Sequence, residues 1–131
     1  MKKSAVKILL VDDSEVMLGF LAALLEKQGF AVATAKDLVS SVEAYGRTKP
    51  DLILMDFVLE PTRTGIETLA AIFSLAGAAR PVAAILTQGA LTPLDEQKAA
   101  SWGVEVLQKP VRGKEAAFLA LIDGLVAKVK V

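Results

Sequence analysis

The sequence predicts one α/β domain, a parallel sheet covered by helices on both faces. Three observations predict it. Five short apolar runs alternate with five stretches whose apolar residues recur at helical spacing. The third run, Asp51-Leu52-Ile53-Leu54-Met55-Asp56, holds four consecutive large apolar residues, as a strand buried on both faces requires; a half-solvated strand would alternate. The linkers are all short, so successive strands pair in parallel through right-handed crossovers and the sheet is doubly wound. At 131 residues and 53% hydrophobic content, one core with helices on both sides is within reach. No internal repeat or low-complexity segment divides the chain, and residues 1–131 are expected to form one domain with no output module.

Each element has its own sequence warrant. Ile8 to Val11 is the first strand and runs into Asp12-Asp13; Ser14 caps a helix with Met17, Phe20, Leu21, Leu24 and Leu25 on one stripe, which Gly29 stops. Phe30 to Thr34 is a short second strand. Asp37 opens a helix with Leu38, Val42 and Tyr45 on one face, and Lys49-Pro50 ends it. After the third strand, Phe57 to Arg63, with Pro61, is expected to be a loop. Thr64 and Glu67 have capping-box form, and Ile66, Leu69, Ala70 and Phe73 make the buried stripe of the third helix. Pro81 precedes the fourth strand, Val82 to Leu86, which ends at Thr87. Thr92-Pro93 supplies an N-cap and an N1 proline, and Gly103 ends that helix. Val104 to Leu107 is the fifth strand, followed by Gln108-Lys109-Pro110. The last helix aligns Phe118, Leu121, Ile122, Leu125, Val126 and Val129, with Lys128 and Lys130 near its C-terminal dipole. Trp102 and Tyr45 read as packing residues.

Composition excludes several chemistries. There is no cysteine and no histidine, so disulfides, thiolate nucleophiles, zinc sites and Ser-His or Cys-His mechanisms are out. Fifteen basic and 15 acidic residues give zero net charge, and nothing global attracts nucleic acid or an anionic membrane. Glycine-rich nucleotide motifs are absent, and the Ala- and Leu-rich residues 69–79 are too short to span a bilayer. The simplest expectation is a cytoplasmic protein.

The remaining chemistry sits at the strand ends. Asp12 and Asp13, Asp56, Thr87 and Lys109 follow the first, third, fourth and fifth strands, and in a parallel sheet those ends share one edge. Carboxylates crowded there repel by about 4 kcal/mol per close pair at an effective dielectric of about 20, which a lysine and a divalent cation offset. Hard oxygen ligands suit Mg²⁺. Asp56 can attack phosphorus, while Lys109 and Thr87 bind the transferred group.

In these residues the chain resembles the response regulator receiver domain of two-component signalling, particularly the stand-alone kind. An acidic pair after the first strand, Asp after the third, Thr after the fourth and Lys-Pro after the fifth appear as Asp12-Asp13, Asp56, Thr87 and Lys109-Pro110. The resemblance implies a flavodoxin-like (βα)5 fold with strand order 2-1-3-4-5. It implies Asp56 as phosphoacceptor, with Mg²⁺ held by Asp13, Asp56 and the Val58 backbone carbonyl, and Asp12 acting through water. It also implies a cis bond before Pro110. The implied partners are a sensor histidine kinase or histidine phosphotransfer protein and an unidentified downstream protein, with no nucleic acid or membrane contact and a monomeric or weakly dimeric state. The domain would be no enzyme beyond promoting its own phosphorylation and dephosphorylation.

Four positions depart from the family pattern. Pro61 and Gly65 lie five and nine residues after Asp56, one further than usual. Gln88 stands where a small residue is normal, and Val106 where an aromatic switch residue is. These motivate an alternative, a pseudo-receiver binding module acting without phosphorylation.

Overall fold

The computed structural model describes residues 6–60, 63–110 and 112–129. Its main sheet holds β1 (Lys7–Val11), β2 (Ala31–Ala35), β3 (Leu52–Asp56), β6 (Val82–Thr87) and β7 (Glu105–Gln108). All neighbours pair in parallel, in the order β2-β1-β3-β6-β7. This is the expected flavodoxin-like order. The helices are α1 (Glu15–Lys27), α2 (Leu38–Thr48), α3 (Gly65–Ala76), α4 (Pro93–Ser101) and α5 (Glu115–Val126). Among the described residues, no helix is long and apolar enough to cross a membrane.

The two-residue strand period sorts the core into two layers. Leu9, Val11, Ile53, Met55 and Ile85 face α2, α3 and α4; Ile8, Leu10, Leu52, Leu54 and Leu86 face α1 and α5. Burying a leucine or isoleucine contributes roughly 1.5–3 kcal/mol, so β3, buried along its whole length, is held from both sides. Trp102 packs edge-on against Phe73 with ring centroids 5.6 Å apart.

The caps follow the sequence. The Ser14 hydroxyl accepts from Met17 N–H at 3.2 Å, and Thr92 accepts from Asp95 N–H at 3.2 Å ahead of Pro93. Asp37 and Ser40 form a reciprocal capping box. Thr64 accepts from the Glu67 N–H at 3.4 Å. Gly29 and Gly103 follow their helices at φ 101° and 71°, conformations open to glycine.

Several expectations need correction. The segment after Asp56 is no simple loop: β4 (Val58–Glu60) and β5 (Arg63–Thr64) form a small antiparallel hairpin. Pro61 lies outside the described residues, as does Lys130. In α3, Ala70 is exposed while Thr68 and Ile72 are buried, because the sheet-facing side centres on Ile66, Leu69 and Phe73. In α5, Phe118, Ile122 and Leu125 are buried, as is Val129 beyond its end; Val126 is half-buried, and Leu121 is 49% exposed. Phe20 is likewise exposed on the flank of α1. These outer helices bury a narrower stripe than their apolar pattern offers. There is no cis peptide bond among the described residues, so Lys109–Pro110 is trans, contrary to expectation.

Candidate functional site

Strand register brings the acids together. Val11 pairs with Met55, so Asp12 and Asp56 follow side by side at the ends of β1 and β3. Asp56 in turn lies opposite Leu86, and Thr87 ends β6 one residue later. Backbone bonds lock these ends: Asp12 N–H donates to Ala35 O at 3.1 Å, Phe57 N–H to Leu86 O at 2.9 Å, and Lys109 N–H to Thr87 O at 2.8 Å. Asp12, Asp56 and Thr87 are only 1%, 5% and 6% exposed, whereas Asp13 faces solvent.

From the end of β7, the Lys109 side chain reaches across β6. Its Nζ lies 3.0 Å from Asp56 Oδ1 and 2.9 Å from Asp12 Oδ2, one cation shared between two buried carboxylates. Burial opposes the charge of Lys109, but hydrogen bonds to Asp12 and Asp56 and their negative charges prevail, so its pKa lies above the ordinary value. Asp56 goes the other way. Burial, reinforced by the charge of Asp12, outweighs the lysine and pushes its pKa up to about 6.

The acidic cluster fits a hard divalent cation. Asp12, Asp13 and Asp56 each place a carboxylate oxygen within 4.8 Å of the others. Both Asp12 oxygens are engaged, Oδ1 by the Ser14 N–H at 2.9 Å and Oδ2 by Lys109.

Beside the cluster, a cleft of about 380 Å³ opens over Asp56, Thr87 and Lys109, walled by Phe57, Val58, Gln88, Gly89 and Ala90. The Thr87 hydroxyl turns to its own loop, donating to Gly89 O at 3.0 Å and accepting from Gly89 N–H at 3.2 Å. Val58 lines the cleft, and its N–H bonds the Asp56 carboxylate. The expected site residues therefore gather at one edge.

Sequence reasoning missed two supports. Gly65 lies against β3: a Cβ there would collide with the Asp56 carbonyl oxygen and come within 2.8 Å of Met55 Cγ. Its N–H donates to Phe57 O at 2.6 Å. The hairpin thus absorbs the extra residue while the glycine still meets the Asp56 backbone. Ala90 also walls the cleft, but an alanine in a loop carries no signal.

Comparison with known proteins agrees with this geometry. The chemotaxis protein CheY of Halobacterium salinarum is 44% identical over 63 residues, 48% of this chain and 52% of that protein. The alkaline phosphatase synthesis transcriptional regulatory protein PhoP of Bacillus subtilis is 43% identical over 61 residues, 47% of this chain and 25% of that protein. The match thus spans about half the first relative and a quarter of the second. Among solved structures, chemotaxis protein CheY4 of Vibrio cholerae superposes with a TM-score of 0.79 at 23% identity, covering 92% of this chain and 98% of that one. The N-terminal domain of a response regulator receiver protein from Methanoculleus marisnigri gives 0.70 at 30% identity, covering 93% and 97%. The family model described as the response regulator receiver domain matches residues 8–120. That match runs from the second residue of β1 past β7 and takes in Asp12, Asp13, Asp56, Thr87 and Lys109; the chain belongs to the response regulator receiver domain family.

Proposed function

We propose that the domain accepts a phosphoryl group on Asp56 from a phosphohistidine donor, a sensor histidine kinase or histidine phosphotransfer protein, and signals by protein contact. The observation that carries this is Lys109 Nζ bridging Asp56 and Asp12 beneath an open cleft. An Asp56 oxygen attacks phosphorus as the donor P–N bond breaks, and the imidazole leaves with a proton. With its pKa near 6, Asp56 is mostly ionised at neutral pH and ready to attack. Lys109 shifts its hydrogen bond to a phosphoryl oxygen, and Thr87 exchanges the Gly89 carbonyl for another. Asp13, Asp56 and the Val58 carbonyl would hold Mg²⁺, whose charge when bound would offset that of the equatorial oxygens. Asp12 would orient a water there.

A cytoplasmic location follows from this reading, because phosphohistidine donors are charged from nucleoside triphosphate. Zero net charge supports a protein partner over nucleic acid or membrane. The test is titration with Mg²⁺ and beryllofluoride, followed by amide shifts. Saturable, Mg²⁺-dependent shifts at Asp56, Thr87, Gly89 and Lys109 are expected; none in folded protein contradicts the proposal.

A pseudo-receiver is the second reading, favoured by Gln88 on the cleft wall and by Val106 in place of an aromatic residue. It predicts no beryllofluoride binding.

A further inference from the structure

The lateral edge of the sheet formed by β2 is unguarded. Natural edge strands are blunted by charge, proline or a covering element. β7, at the other edge, carries Glu105, ion-paired to Lys128 at 2.8 Å. β2 reads Ala-Val-Ala-Thr-Ala, with neither charge nor proline.

Its hydrogen-bonding groups can be assigned. Ala31 N–H donates to Val6 O and Ala35 O accepts from Asp12 N–H, so in this parallel ladder Ala31, Ala33 and Ala35 point their backbone groups at β1. Val32 and Thr34 turn theirs outward. The small side chains of Ala31 and Ala33 leave a cleft of about 270 Å³ between β2 and the end of α2, with Lys7 and Arg47 at its rim. Among the described residues, neither cation makes an ion pair. Asp51 is already engaged, accepting from Lys7 N–H at 2.9 Å.

We infer that the β2 edge is a docking site for an extended acidic segment of a partner protein, which adds a strand to the sheet. Backbone bonds form to Val32 and Thr34, an apolar side chain fills the cleft beneath Ala31 and Ala33, and flanking carboxylates meet Lys7 and Arg47. Strand addition takes affinity from the main chain and specificity from pockets for alternate side chains, which is the combination present here. The cleft is smaller than the roughly 300–1,000 Å³ of small-molecule sites, which suits a side chain.

The test uses the full chain and a synthetic decapeptide in which aspartates stand two residues either side of a central valine, with threonines between, so that valine and carboxylates share the face that meets the cleft. Saturable amide shifts centred on residues 31–34 and Arg47, with slower hydrogen exchange at Val32 and Thr34, are expected. Thr34→Pro removes an outward N–H without touching the β1 ladder and should abolish binding. Arg47→Glu, which leaves the backbone alone, should weaken it about tenfold. The proposal is overturned by shifts that miss β2, by equal binding of the same peptide with lysines for its aspartates, by full affinity in the Arg47→Glu variant, or by sedimentation showing a dimer of the free protein that Thr34→Pro abolishes.

Discussion

Asp56 is held in a costly state. Its unfolded pKa is near 3.8 and its folded pKa about 6, so the folded protein binds the proton more tightly. Its contribution to stability is therefore fully present below about pH 4 and is lost as pH rises through 6. Asp56→Asn is expected to flatten denaturant midpoints over that window and to raise stability at pH 7 by about 2 kcal/mol in metal-free buffer. Lys109→Met leaves Asp12 and Asp56 buried without their cation. It should cost about 3 kcal/mol at pH 7, and clearly less in an Asp56→Asn background, as a double-mutant cycle in urea would measure. These residues could be read from the sequence because strand ends announce them. The turn of Thr87 to Gly89 and the Val58 N–H on Asp56 could not, since both depend on loop backbone.

At the level of elements, the hairpin after β3 works through Gly65. Gly65→Ala forces the start of α3 off the Asp56 carbonyl and should cost about 2 kcal/mol, while shifting the amide resonances of Phe57 and Val58. The α2 cap gives a prediction with the opposite pH sense. Hydrogen bonds from Ser40 hold the Asp37 pKa below its ordinary value, so the cap stabilises above that value and is lost as pH falls through the folded pKa. Asp37→Ala should cost about 1 kcal/mol near neutrality and progressively less in acid, by thermal denaturation. The caps at Ser14, Asp37 and Thr92 were legible because short polar residues precede apolar periodicity. The hairpin was not: Val58-Leu59-Glu60 is too short to show a period, and its partner strand has only two residues. Ala70 and Leu121 misled because periodicity marks an apolar face without saying how much of it the sheet covers.

For the whole molecule, the order β2-β1-β3-β6-β7 is what turns scattered residues into a site, bringing Asp12 and Asp56 side by side and Lys109 within reach. The alternation of strands and helices foretold that architecture, while the exposed β2 edge and its cleft depend on packing between elements. If the acidic cluster holds Mg²⁺, saturating cation should stabilise the domain by about 2.7 kcal/mol at a hundredfold excess over Kd, and Asp13→Asn should remove most of that gain. The central claim, that Asp56 is a phosphoacceptor, is tested most directly by intact-mass spectrometry after incubation with acetyl phosphate and Mg²⁺. A single acid-labile phosphoryl addition, absent from Asp56→Asn, is the predicted result; no addition, or one that persists in that variant, would contradict it.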